Sequence, residues 1–325
     1  MAVTIRDVAS AAGVSVATVS RVLGGGTSVT EAKRRAVQDA CAALGYRPDG
    51  LAATLRRRRS GFVGMLIPDI STPFFPAVVQ TVEHELAKTG NELLFCDAED
   101  DVKAEAQRVE TLLRRRVDAL LVCPVDRQAS RPALRVAAAH ARVLQFERHA
   151  IDDADYVGVD QNAGMTQVVD HLHSLTVEDA VFVGLQERIS SITERASAFE
   201  TACRNNGIAT RPTVELPSPD IPAGRAYAQQ LLATGAMPSA IVCANDAVAL
   251  GLLTGLRTAG VRCPEDVLIV GYDDVPAAEL MGLTTVRQPL RELGREAARM
   301  LQQPSVAPRQ VRLAPTLVVR ETSRR

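Results

Sequence analysis

Several polar residues of this chain stand where apolar runs end. Glu147 and Arg148 follow "RVLQF", Asp160 follows "DYVGV", and Asn245 and Asp246 follow "IVCA". Asp273 and Asp274 close "LIVGYDD", Gln288 follows "LTTVR", and Arg195 lies beyond the polar loop after "AVFVGL". Phe74 and Phe75 follow "PDISTP". Paired acceptors and donors beside an aromatic face suit a hydroxyl-rich small molecule. With no Trp in the chain, any ring stacking falls to Phe or Tyr. Adjacent aromatics cannot share one helix face, so one of Phe74 and Phe75 is expected to pack inward and the other to meet ligand. Each of these residues alone could simply cap a helix; together they line a binding site.

Catalytic patterns are poorly served. The chain has no G-x-S-x-G elbow, no H-E-x-x-H and no Walker loop, and "GGG" at 24–26 lacks a following Lys. His171 and His173 lie two apart, on diverging faces of a helix, and make a poor metal pair. The strand-end acids could act as a glycosidase pair only at a separation that the sequence does not set. No catalytic residue, metal or cofactor is therefore assigned. The six cysteines form no C-x-x-C and read as reduced core thiols, which fits a cytoplasmic protein. No apolar run approaches the roughly 20 residues that span a bilayer.

The elements that must position these residues come in two kinds. From Gly61 onward, short apolar runs alternate with helical stretches such as 75–89 and 102–115, and the rhythm resumes after "DYVGVD". Apolar strands alternating with helices imply parallel sheets covered on both faces, here as two doubly wound lobes of an α/β domain. Ligand chemistry then belongs at the carboxyl ends of the strands.

Residues 1–60 differ in kind. They hold ten Lys/Arg against four Asp/Glu, a net of +6, whereas the remainder nets −7 within an overall −1. A basic head on an acidic body suggests a polyanion partner for the head. In "TIRDVASAAGVSVATVSRVL", Ile5, Val8, Ala9 and Ala12 recur at helical spacing, Gly13 allows a tight turn, and Ser15 can cap a second helix. Such a helix-turn-helix presents its second helix to the DNA major groove. Thr30 caps a third helix to about Leu44. Further on, Leu55 stands before Arg56–Arg59 in a helix too short to fold alone. It is expected to order on DNA with the Leu wedged between minor-groove base steps; a basic tether is the alternative.

These stretches, with "GYRPDGLAATLR", "ANDAVALGLL", "VGYDD" and "LTTVRQP", resemble the LacI/GalR family of bacterial transcription repressors over essentially the whole chain. The resemblance implies a head at 1–48, a hinge helix and linker at 49–60, and an effector-binding and dimerisation domain at 61–325. It further implies lobe 1 at about 61–161 plus 289–325, lobe 2 at about 162–288, and an effector domain like periplasmic sugar-binding proteins. Val16, Ala17 and Arg21 fall at base-reading positions, with Arg21 able to make a bidentate contact to guanine. Thr4, Ser15, Thr18, Ser20 and Tyr46 suit phosphate contacts. Leu55 matches the intercalating Leu, and Leu51, Ala52 and Arg56 its companions. Gly24 and Asp49 depart from the usual Asn at those positions. Implied effector-binding residues are Phe74, Phe75, Glu147, Arg148, Asp160, Arg195, Asn245, Asp273 and Gln288. Glu147 replaces a commoner Asp and should shorten the pocket on that side, and Glu178 and Asp179 alter what is expected to be only a surface turn.

The implied protein is a homodimeric repressor on a palindromic operator, answering to a small molecule, most often a carbohydrate. Two other readings compete. A sugar-binding module with an accessory basic head shares the cleft but leaves Arg21, Leu55 and the +6 head unexplained. An enzyme on the same scaffold would have to turn over the bound sugar.

Overall fold

The computed structural model describes residues 3–23, 28–46, 60–185, 188–303 and 305–324. Contacts divide the chain into two units, Met1–Gly61 and Phe62–Arg325.

In the first unit, α1 (Ile5–Ala11), α2 (Val16–Leu23) and α3 (Glu31–Leu44) enclose a small core of Val8, Ala9, Val19, Val22, Val37 and Ala40. A capping box starts α1: the Thr4 N–H and hydroxyl both donate to Asp7 Oδ2, at 2.8 and 2.7 Å. These bonds hold the exposed Asp7 carboxyl below its ordinary range. Gly13, at φ 64°, makes the turn that a β-carbon would strain, and Ser15 Oγ accepts from the Thr18 N–H at the start of α2. Gly45, also left-handed, ends α3. Gly24, Asp49 and the hinge residues Leu51, Ala52, Leu55 and Arg56 lie outside the described residues.

The second unit holds two sheets. The first has the order β12 (Gln310–Leu313), β5 (Asp155–Val159), β4 (Arg142–Phe146), β3 (Ala119–Val122), β1 (Phe62–Ile67), β2 (Glu92–Asp97), all parallel. Its covering helices are α4 (Phe74–Ala87), α5 (Val102–Arg114), α6 (Arg131–His140) and α12 (Leu290–Gln302). The second sheet has the order β13 (Thr316–Val318), β11 (Thr284–Arg287), β10 (Leu268–Asp273), β9 (Ala240–Cys243), β6 (Asp179–Leu185), β7 (Ala209–Thr210), with β8 (Val214–Leu216) also on β6. Its helices are α7 (Gln161–Ser174), α8 (Ser190–Asn206), α9 (Ile221–Thr234), α10 (Asp246–Thr258) and the short α11 (Pro276–Leu280). β3 and β9 are buried along their whole length, as central strands of doubly covered sheets require.

The chain passes between lobes after β5 and again after β11. A third passage corrects the expected division. β13 runs antiparallel to β11, pairing Thr285 with Val318, so the chain beyond β12 joins the second lobe rather than the first. Asp179 also differs from a simple surface turn. Its Oδ1 accepts from the Ser239 N–H and hydroxyl, and its Oδ2 from Arg211 Nε at 2.6 Å, so it ties β6 to distant segments. Among the described residues no helix is long and apolar enough to cross a membrane, and the described cysteines are free thiols.

Candidate effector site and DNA-reading face

The carboxyl ends of β4 and β5 meet those of β9 and β10 where the lobes join, and Arg195 of α8 lies at the centre. It is 3% exposed and donates three hydrogen bonds: Nε to Gln161 Oε1 (2.8 Å), Nη1 to the Ala244 carbonyl (2.7 Å), and Nη2 to Glu147 Oε1 (3.1 Å). Its guanidinium carbon sits 3.6 Å from the Tyr272 ring centroid, a cation–π contact in a desolvated setting. The bond to Glu147 crosses from the second lobe to the first. Glu147 is itself buried, with its Oε2 at 3.4 Å from Arg148 Nε, and Arg148 in turn lies 5.7 Å from the Phe75 ring. A buried carboxylate is tolerable here because two guanidinium groups share it.

Tyr272 and Gln161 are functional candidates that the sequence reading missed. The Tyr272 hydroxyl donates to Gln161 Oε1 at 2.7 Å, so that oxygen receives two donors. The double acceptance fixes the amide orientation and leaves the buried Gln161 Nε2 without a hydrogen-bond partner. Gln288, at the second passage, donates Nε2 to Asp273 Oδ1 at 2.7 Å, and its buried Oε1 likewise lacks a hydrogen-bond partner. One orphan donor and one orphan acceptor are costly unless something completes them. Hydroxyl groups, which both accept and donate, suit the two. The signal for Gln161 was present in "VDQN", directly after the apolar run of β5.

Burial pushes the Asp273 carboxyl up to about 7, against the pull of Arg195 and the Gln288 hydrogen bond. Asp246, fully buried at the start of α10, is raised well above the carboxylate range by burial, with Asp273 adding repulsion. It accepts from the Thr285 hydroxyl (2.6 Å) and the Val275 N–H (2.9 Å). Gly271 makes its place: a β-carbon there would lie 2.2 Å from Asp246 Oδ1.

The remaining expected residues sit differently. Phe74 and Phe75 are both buried, edge to face at 5.3 Å, so the inward-and-outward split does not hold. Both rings belong to the hydrophobic core of the unit, and Arg148 also lies over Phe75. Asp160 Oδ1 caps α7 through the Ala163 N–H, and Asn245 Oδ1 caps α10 through the Val248 N–H. Asn245 Nδ2 also donates to the Pro219 carbonyl, so its polar atoms are engaged within the protein.

Four further bonds join the lobes beside this centre. The His149 N–H donates to Ser190 Oγ (2.9 Å), and His149 Nε2 lies 2.8 Å from Glu194 Oε1. Arg312 of β12 donates to both oxygens of Glu194, at 2.7 and 3.1 Å. Burial alone would raise the Glu194 carboxyl; the bonds from His149 and Arg312 outweigh it and hold it down to about 2.

In the head, Val16, Ala17 and Arg21 are exposed on α2 while Val19 and Val22 turn into the core. Thr18 and Ser20 are half-buried and Ser15 is exposed, its hydroxyl 2.9 Å from that of Thr18. Tyr46 is half-buried against the head core.

Comparison with known proteins places these features together. Residues 4–49 match the model "Bacterial regulatory proteins, lacI family", and residues 169–323 match "Periplasmic binding protein-like domain". The ribose operon repressor of Bacillus subtilis (strain 168) is 30% identical, with 99% of each chain covered. The HTH-type transcriptional regulator GalR of Escherichia coli (strain K12) is 32% identical over 91% of this chain and 88% of its own. Among solved structures, the Lac repressor dimer bound to operator and the anti-inducer ONPF covers 99% of each chain at 26% identity and a TM-score of 0.89. A complex of the transcriptional regulator CelR with cellobiose covers 98% of this chain and 99% of its own at 27% identity and a TM-score of 0.72.

Proposed function

Because the chain belongs to the LacI family of bacterial regulatory proteins, a family of transcriptional regulators, we propose that it is a DNA-binding repressor whose operator affinity is set by a sugar held between its lobes. The observation that carries the effector half is the junction around Arg195. There a buried ion pair joins the lobes, with an unpartnered Gln161 donor beside Arg195 and an unpartnered Gln288 acceptor beside Asp273. Sugar hydroxyls both donate and accept, so they complete such a set where an apolar ligand would leave it unpaired. Cellobiose in the CelR complex is a precedent for a sugar in this scaffold. Of the expected residues, Arg195, Glu147, Arg148, Asp273 and Gln288 take the leading roles, with Gln161 and Tyr272 added. Asp160 and Asn245 serve first as helix caps.

The DNA half rests on α2. Arg21 is its one base-reading side chain with bidentate donors, and Val16 and Ala17 offer methyl contacts only. Thr4, Ser15, Thr18, Ser20 and Tyr46 position the head on phosphates. Residues 1–48 are the reading head, 49–60 the hinge with Leu55 as its minor-groove wedge, and the dimer matches a palindromic operator. A sugar changes operator affinity only through its different affinity for two lobe arrangements, and the Glu147–Arg195 bond is one contact that such a change must remake.

Selection of bound DNA from random sequence, repeated with D-ribose, D-galactose and cellobiose, tests the reading. The expected result is one palindromic motif whose recovery changes with at least one sugar. Recovery of no motif refutes the DNA half. Sugar hydrolysis by the purified protein would instead favour the enzyme.

A further inference from the structure

The turn after β10 is held by charged side chains that the effector reading does not use. Asp273 and Asp274 both have positive φ, 111° and 58°. Non-glycine residues keep such conformations only where their surroundings over-determine them. Here the determinant is Asp274, whose carboxylate is buried between two arginines. Arg287 Nε donates to its Oδ2 at 2.5 Å, and Arg320 Nη2 to its Oδ1 at 2.7 Å. Arg320 is fixed in turn. Its Nη1 donates to the Leu283 carbonyl (2.9 Å) and its backbone N–H to the Thr284 hydroxyl (2.8 Å). On the far side of the turn, the Val275 N–H is bound by Asp246. Val275, which follows the left-handed pair, is thus pinned, and so is the Asp274 side chain within it.

We propose that Asp274, clamped by Arg287 and Arg320, is a positioning residue for the effector: it holds the strained turn that sets Asp273 against Gln288, and so sets effector affinity without touching the ligand. The proposal rests on the reading of Asp273 as an effector residue. Without the clamp, both φ angles can relax to negative values, and the Asp273 carboxylate rotates away from Gln288 and toward water. The charged and titratable groups that face Asp273 are Arg195 from α8, Glu147 and Arg148 after β4, Asp246 from α10 and the Tyr272 hydroxyl from β10. Arg320→Met leaves all of them in place, whereas Asp274→Asn also lifts the repulsion that Asp274 exerts on Asp246. Arg320 comes from the C-terminal segment that returns to the second lobe.

Two variants of the full-length protein test this. Arg320→Met removes half of the clamp. Asp274→Asn keeps a side chain that tolerates φ near 58° but removes the charge, so it guards against simple misfolding. Two measurements are made. Calorimetry uses the tightest-binding sugar among D-ribose, D-galactose and cellobiose. Carbon-13 NMR of aspartate-labelled protein follows the Asp273 carboxyl, assigned with Asp273→Asn, and needs no sugar. Both variants are expected to weaken sugar binding tenfold or more while sugar-free operator affinity stays within twofold. The Asp273 inflection should fall from about 7 by one pH unit or more. Loss of the Arg320 charge alone would raise the inflection and loss of the Asp274 charge alone would lower it, so a fall in both variants reports displacement of Asp273 toward water. Unchanged inflection together with sugar affinity within twofold of wild type in both variants overturns the clamp. If Asp273→Asn itself binds sugar like wild type, the effector reading fails instead, and the titration still decides whether Asp274 positions Asp273.

Discussion

Replacing Arg195 by Leu should be among the most damaging single changes in the second unit. The substitution deletes hydrogen bonds to Gln161, Ala244 and Glu147 and the cation–π contact to Tyr272. It leaves Glu147, 4% exposed, with only Arg148 as a cationic partner. Removing one member of a buried pair typically costs about 3–5 kcal/mol. In a domain of this size about 1 kcal/mol moves Tm by roughly 2–4 °C, so the expected fall is on the order of 10 °C. Part of that cost is the abandoned carboxylate rather than the lost contacts. Glu147→Gln in the Arg195→Leu background should therefore recover several degrees, although Glu147→Gln alone destabilises. Differential scanning calorimetry on the four proteins of this cycle, without effector, measures the coupling directly. A Tm loss below about 2 °C for Arg195→Leu, or additive losses in the double variant, would refute the reasoning that these two groups share a buried bond across the lobes.

Other predictions concern each half of the protein. Arg21→Ala should lose about 1–3 kcal/mol of discrimination at one base pair per half-site; selected DNA of unchanged sequence and affinity would remove Arg21 as a base reader. For Asp273, a folded pKa of about 7 above an ordinary value of 3.8 means that the native state keeps a proton the unfolded chain has lost. Its contribution to stability is therefore full below about 4 and is lost as pH rises to about 7. Asp273→Asn should remove that slope from Tm-versus-pH curves, and a parallel slope in the variant counts against it. Glu194 has the opposite sign: lowered to about 2 from 4.5, it stabilises above about 4.5 and the benefit is lost as pH falls toward 2. Glu194→Gln should flatten acid destabilisation in that window and, by loosening the bonds to His149 and Arg312, alter sugar affinity as Asp273 remains intact. Equal acid sensitivity in wild type and variant would contradict the cross-lobe bond.

Much of the architecture was legible because buried parallel strands must be apolar on both faces. Runs such as Ala119–Val122 and Ala240–Cys243 are apolar throughout, and the polar residues that follow them mark the carboxyl ends. β13 escaped notice for the converse reason. Thr316–Val318 is a three-residue edge strand, exposed or half-buried, and antiparallel, so no apolar run announces it. The residues that follow strands were legible as a set, but their partners were not. Gln161 meets Tyr272 across 111 positions, and Asp179 meets Ser239 across 60; neither pairing has a local signature. The placement of Phe74 and Phe75 failed because a helical wheel counts only the helix's own faces. Arg148, from the segment after β4, lies over the Phe75 ring.

On the function proposed above, a sugar held by Asp273 controls how tightly α2 holds its operator. The most direct measurement is the operator Kd by fluorescence anisotropy, with and without the tightest-binding sugar, in wild type and Asp273→Ala. Wild type is expected to show at least a tenfold sugar-dependent change, and Asp273→Ala a sugar-free Kd within about twofold and no response. A sugar response of full size in Asp273→Ala, or no response of wild type to a sugar it demonstrably binds, would contradict that function.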